Sequence, residues 1–263
     1  MAGKTGCASR ANRLDGGGVK LGGRVALVTG AGIRLGREIA LALAGEGMAV
    51  AVHYAHSENE ARSTADEIRE KGGKAETFAA DLAQAGEAES LVGAVAKRMG
   101  TLDVLVNSAA VMARTPVGSV TYESWDQTMN LNLRAPFFLS QAAAALMRGR
   151  EGGGVIVNIA DLAAFETWPN YIPHSISKAG IVQMTRGMAH ALAPSIRVNA
   201  IAPGAVLLPE GWSAEAAEHL KETTPLGSLG TPKDVTEALL FLLRSDYITG
   251  ETIIVDGGRH VRR

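Results

Sequence analysis

The 263-residue chain carries a single cysteine, Cys7. A lone thiol excludes an internal disulfide framework and fits a reducing compartment, so a cytoplasmic location is expected. Strong charge of either sign is also missing: 26 basic and 27 acidic side chains leave a net charge of −1. That balance argues against a general nucleic-acid binder or a protein held on anionic membranes. No apolar run reaches the roughly 18–20 residues that a bilayer span requires. The most apolar stretch, "IALALAGEGMAVAV", is cut by Gly45-Glu46-Gly47. The first 20 residues are Gly-rich and charged with no apolar centre, so they read as a disordered tail rather than a secretory signal.

What is present is a regular alternation. From Gly23 onward, short apolar runs alternate with stretches of helical spacing, the first of them, "RVALVTG", β-branched and bounded by glycines. "RVALVTG", "MAVAVHY", "AETFAADL", "LDVLVNSAA", "GGVIVNIAD", "IRVNAIAPG" and "TIIVDGG" read as seven strands. Near-continuous apolar strands separated by helices predict a parallel sheet covered on both faces. The expected fold class is therefore α/β, a Rossmann-type doubly wound parallel sheet in a single domain over residues 21–263. Residues 205–230 form the one long, weakly patterned insert. It follows a strand at its carboxyl end, where open α/β sheets bind ligands, and a substrate lid is expected there.

"TGAGIRLG", residues 29–36, joins the first strand to the first helix. Gly30 and Gly32 permit tight turns and close approach of a ligand, and Gly36 lets the helix pack on the sheet. The helix start offers free N–H groups to a pyrophosphate. Ile33, Arg34 and Leu35 complete the loop. A guanidinium at Arg34 can hold an extra phosphate bidentately. The second strand ends "HYAHSENEA", with no carboxylate where one would grip a ribose 2′-hydroxyl. His53, Tyr54, His56 and Ser57 offer donors instead. NADP(H) is therefore expected over NAD(H), and no metal is expected in the site.

The chain resembles the short-chain dehydrogenase/reductase family over residues 21–260. The motifs are "TGAGIRLG", "ADL", "VNSAA", "NLNLRAPFF", "VNIAD", the Lys178 segment, "RVNAIAPG" and "ITGETIIVDGG". Arg34 in place of the usual glycine, "HY" after the second strand and Asp161 are similar to the pteridine reductase branch. "DGGRH" is similar to dihydromonapterin reductases. The resemblance implies that Asp81 and Leu82 contact the adenine and that Asn107 and Ala109 line the cofactor groove. It implies that Pro203 and Gly204 flank the nicotinamide, that Asn132 holds a water in a proton relay, and that Lys178 bonds the nicotinamide ribose. A homotetramer, or a dimer at least, is also implied.

Family members usually place tyrosine four residues before the lysine; here that position is His174. Thirteen residues earlier they usually place serine; here it is Asp161. Three readings stay open. His174 is the general acid, its charged form favoured by Asp161 and disfavoured by Lys178. Alternatively Asp161 gives the proton through water while His174 shapes the pocket. In the third, the site is impaired, and the protein is an NADPH-binding sensor or scaffold. A carbonyl or pterin-like imine is the expected substrate; an NAD-linked alcohol or sugar dehydrogenase is the remaining alternative. Met112, Trp168, Leu208 and Trp212 are the expected pocket residues. Methionine at 112, where pteridine-reducing relatives place an aromatic, stacks less specifically on a ring.

Overall fold

The computed structural model describes residues 19–150, 152–208, 211 and 213–261. Cys7, almost all of the expected N-terminal tail and Trp212 lie outside the described residues.

All seven expected strands form: β1 Val25–Val28, β2 Ala49–Tyr54, β3 Lys74–Ala79, β4 Val104–Asn107, β5 Gly154–Ile159, β6 Ile196–Pro203 and β7 Thr252–Val255. They pair in one parallel sheet of order β3-β2-β1-β4-β5-β6-β7. The chain builds outward from β1 to β3, then returns to the other side of β1 for β4. That reversal leaves a crevice at the carboxyl ends of β1 and β4.

Alternation along the strands divides the core into two layers. Ala26 and Val28 face one side with Val50, Val52, Val104 and Val106. Val25 and Leu27 face the other with Ala51, Leu105 and Ile156. Helices α1 (Arg34–Gly45), α2 (Glu58–Glu70) and α8 (Pro232–Arg244) supply apolar stripes to the first layer. Helices α3 (Glu87–Met99) and α5 (Ala135–Met147) serve the second. Each fully buried Leu or Ile contributes about 1.5–3 kcal/mol, so the two layers carry most of the folding free energy.

Three details position the site. Residues Tyr122–Met147 form α4 (Tyr122–Met129), a π-helical turn (Asn130–Arg134) and α5 in continuous succession. Helix α6 (Ile172–Leu192) carries His174 and Lys178 on its buried side. The 205–230 insert holds a short helix, α7 (Ala214–Glu222), with no buried residue. Its start is capped by the Ser213 hydroxyl, which accepts from Ala216 N–H at 3.2 Å.

Candidate active site

The crevice opens into a cleft of about 1140 Å³ running from the end of β2 to the 205–208 segment. Its floor is set where strands end. The Thr29 hydroxyl accepts from Ser108 N–H at 2.9 Å and Ala109 N–H at 3.0 Å, tying the ends of β1 and β4 together. Gly30 has φ +65°, and a Cβ there would come within 3.0 Å of Ala109 Cα. A Cβ on Gly36 would overlap the Gly30 carbonyl, so only glycine lets α1 start this close to the loop.

His53 is not a cofactor-phosphate donor, contrary to expectation. It is 2% exposed, because its position on β2 turns it into the sheet edge under the loop. Gly30 N–H donates to Nδ1 at 3.0 Å, so Nδ1 carries no hydrogen and Nε2–H donates to Ala80 O, also at 3.0 Å. Burial pushes its pKa down to about 4, with the Ala80 bond opposing. The imidazole is thus a neutral brace between loop, β2 and β3. Tyr54, His56 and Ser57 do line the cleft, as do Ile33, Leu35, Gly36, Leu82 and Ala109.

Three other expected site residues lie off the cleft, and a fourth, Arg34, lines it with its guanidinium bonded to backbone. Gly32 faces α2 rather than the cleft: a Cβ there would sit 3.0 Å from Ser57 Oγ. The Asp81 carboxylate accepts from Ala83 N–H and Gln84 Nε2, capping its own turn below the cleft wall. Asn107 is buried beneath the floor, donating from Nδ2 to Asn158 Oδ1 at 2.8 Å and Ser140 Oγ at 3.1 Å. Arg34 has φ +51°, a left-handed conformation that suits the glycine usual there. That backbone sends its guanidinium across the mouth to Leu207 O at 3.2 Å, with Leu208 O at 3.5 Å. Its partner is therefore the 205–208 segment; Glu38 pairs with Arg37 instead, at 2.7 Å.

At the opposite end of the cleft, His174, Asp161 and Lys178 converge. Lys178 is 5% exposed and donates from Nζ to Ile159 O at 2.9 Å. Burial lowers its pKa to about 8, against the pull of the Asp161 carboxylate. Asp161 starts the single 3-10 turn Leu162–Ala164. Its Oδ1 accepts from Ala163 N–H at 2.8 Å, leaving Oδ2 turned to His174. His174 Nε2 stands 3.6 Å from that oxygen.

Asn132 is not aimed at the cleft, also contrary to expectation. The π-helical turn directs its carboxamide at Val111: Oδ1 accepts from Val111 N–H and Nδ2 donates to Val111 O, each at 2.8 Å. Nδ2 also donates to Ser177 Oγ at 3.2 Å, which occupies both of its hydrogens. His174 Nδ1 lies 3.2 Å from Val111 O and 3.4 Å from Asn132 Nδ2; the carbonyl can only accept, so Nδ1 is the donor of the shorter contact. Nδ1 then holds the fixed hydrogen, and Nε2 is the exchanging atom. Nε2 is buried and has no hydrogen-bond partner among the described residues. Such an orphan is costly in an interior and points to a ligand or a shared proton.

Pro203, Gly204, Met112, Trp168 and Leu208 line the same cleft. Trp168 donates from Nε1 to Glu166 Oε2 at 2.8 Å and meets Tyr171 edge-on. Arg259 and His260 also reach the wall. The sequence marks both only as part of the "DGGRH" motif and not as site residues, because nothing local shows that the turn after Gly257-Gly258 reaches the cleft.

A family model described as enoyl-(acyl carrier protein) reductase matches residues 30–260. A 3-oxoacyl-(acyl-carrier-protein) reductase, FabG, of Staphylococcus aureus is 35% identical over 241 residues, covering 90% of this chain and 98% of the relative. The chain belongs to the short-chain dehydrogenase/reductase family. Among solved members, the FolM alternative dihydrofolate reductase 1 of Brucella canis, complexed with NADP, superposes with a TM-score of 0.88 at 32% identity. The match covers 93% of this chain and 96% of that one. The angucycline C-6 ketoreductase LanV with bound NADP superposes at 0.85 with 33% identity, covering 92% and 97%. Among the described residues, no helix is long and apolar enough to cross a membrane.

Proposed function

We propose that this family member is an NADP(H)-dependent reductase of ketone carbonyls in which His174 and Asp161 replace the usual tyrosine as proton source. The observation that carries the reading is the buried, unpartnered Nε2 of His174, 3.6 Å from Asp161 Oδ2 on the cleft wall beside Lys178. The residues present fit a dinucleotide. The Gly30–Gly36 loop leaves a backbone cradle that a side chain would fill. Tyr54, His56 and Ser57 would face the 2′-phosphate, with no carboxylate among them to repel it. Lys178 would hold the nicotinamide ribose. The NADP in both solved relatives supports this assignment.

When bound, the cofactor supplies the hydride that adds to the carbonyl carbon. The chain supplies the proton. Charged His174 donates from Nε2 to the oxygen as its C=O π bond breaks, giving the alcohol and a neutral ring. The ring keeps its Nδ1–H on Val111 O throughout, so it does not rotate. Asp161 stabilises the imidazolium. Its side chain is 26% exposed, which lets it return a proton from solvent. Asn132 positions Val111 O and so the ring. The apolar groove of Met129, Leu133, Phe137, Phe138 and Met184 supports the expected homo-oligomer.

A second reading, a dihydropterin reductase, is favoured by the likeness to FolM together with Arg34 and Asp161. Fluorescence titration with NADPH and NADH, paired with oxidation assays over ketones, quinones and dihydropterins, separates the readings. We expect NADPH to bind at least about tenfold tighter than NADH, a difference of about 1.4 kcal/mol, and a ketone to be turned over. Turnover confined to dihydropterins selects the second reading. Tight NADPH binding with no oxidation anywhere means a sensor, and equal affinities mean an NAD-linked enzyme.

A further inference from the structure

Another of the cleft histidines, His260, stands on an element separate from that of His174. After β7 the chain turns through Gly257 and Gly258, both at positive φ, into a 3-10 turn, Arg259–Val261. The Asp256 side chain at the root of this turn is 3% exposed. Its Oδ1 accepts from Gly258 N–H at 2.8 Å; its Oδ2 accepts from His260 N–H at 2.7 Å and from His260 Nδ1 at 2.8 Å. Burial works against the carboxylate. The backbone and ring bonds of His260 and the Gly258 N–H outweigh it and hold its pKa below the ordinary value. With Nδ1 committed to Asp256, Nε2 is the ring nitrogen left open. It has no partner among the described residues, and the side chain is one-third exposed on the cleft wall.

The unit adjoins the reaction end of the cleft. A Cβ on Gly204 would lie 2.8 Å from Asp256 Cβ and 3.4 Å from Leu162 Cδ1, and Leu162 directly follows Asp161. Arg259, on the same wall, reaches Leu220 O at 3.5 Å and Thr223 Oγ1 at 3.4 Å. The turn itself would be capped by Asp256 and the two backbone N–H groups alone. What the ring adds is an oriented nitrogen facing the cleft.

We propose that His260, oriented by Asp256, forms a subsite for an anionic oxygen of the substrate, carboxylate or phosphate, at the end remote from the reacting carbonyl. This rests on the carbonyl-reductase reading above. Held by the Asp256 carboxylate at Nδ1, the ring would bridge that carboxylate and an anionic oxygen at Nε2 through its two ring nitrogens. The ring is already fixed, so little rotamer entropy is lost on binding. The surrounding charge agrees. Arg34, Lys178 and Arg259 line the cleft against Asp161 and Glu166, and Glu166 already accepts from Trp168.

Two matched probe pairs test this: 4-acetylbenzoate against its methyl ester, and 4-acetylphenyl phosphate against 4-methoxyacetophenone. For the wild type with NADPH, we expect kcat/KM about tenfold higher for at least one anion than for its neutral partner. His260→Ala should remove that preference through KM. The neutral probes and NADPH affinity should change less than about twofold. His260→Lys, which restores a cation, should recover most of the preference. Whichever pair shows the effect identifies the source of the anionic oxygen. Equal losses for anionic and neutral probes, or none, overturn the subsite. Calorimetric titration of both anions into the NADPH-mixed protein reads the subsite without turnover. If they bind and His260→Ala weakens them about tenfold while nothing is reduced, the subsite stands and the reductase reading falls. If the wild type binds neither anion, the subsite falls.

Discussion

His53 and His174 are buried to nearly the same degree, 2% and 3% exposed, at opposite ends of one cleft. At His53 both ring nitrogens are consumed by backbone, Gly30 N–H on one side and Ala80 O on the other. At His174 one nitrogen is tied to Val111 O, while the other faces only the Asp161 carboxylate. The difference shows that burial alone does not separate a structural imidazole from a chemical one. The unfilled valence does. At His53 burial lowers the pKa to about 4, with the Ala80 bond opposing, and both nitrogens are already engaged. At His174 the second nitrogen meets only an acceptor-only carboxylate at 3.6 Å and stays open to a ligand.

The largest expected effect tests the His174 half. His174→Ala should lower kcat/KM by about 10²–10⁴ while NADPH affinity stays within about threefold, since a general acid acts on the reaction and not on cofactor binding. An unchanged kcat/KM on a true substrate would remove His174 from the chemistry. At the His53 end, His53→Ala should cost about 3 kcal/mol in denaturant unfolding, because Gly30 N–H and Ala80 O both lose buried partners. A comparable loss of stability in His174→Ala would erase the contrast.

The same contrast has a pH signature. The folded-state value of His53 is about 4 against 6.5 for the free side chain. Its contribution is fully present above pH 6.5 and is lost as pH falls through the window down to about 4, up to ~3 kcal/mol. Thermal melts between pH 7 and 4 should show this slope, flattened in His53→Asn. A variant as steep as the wild type would assign the acid sensitivity to another group. The smallest effect belongs to Arg34. Arg34→Ala should raise amide exchange at residues 205–208 about threefold with under ~1 kcal/mol change in stability, since one hydrogen bond to that segment is lost. Unchanged exchange would mean that the guanidinium does not hold the loop.

Much of this architecture is legible in the sequence. All seven strands are visible as short apolar runs between helical stretches. The glycine loop, Lys178 and the His174–Asp161 departure are visible as spacing. What was hidden depends on side-chain direction. His53 sits in a strand whose alternation turns it inward, and Asn107 likewise points beneath the floor to Asn158. Arg34 was expected at a phosphate, but its left-handed backbone aims it at Leu207. The π-helical turn at Asn130–Arg134 was invisible, because the apolar residues on either side keep nearly helical spacing. His260 gained its place only through the fold, which brings Asp256 against Gly204.

That π-helical turn has a wider consequence. A π turn absorbs one additional residue without rotating the helices on either side of it. Here α4 and α5 keep their packing, and the surplus backbone carries Asn132 to the Val111 peptide, on which His174 leans. The bearing of the imidazole is thus inherited from an irregularity two contacts away. Engineering that straightens this helix to harden the scaffold would work against the reaction centre without touching His174, Asp161 or Lys178.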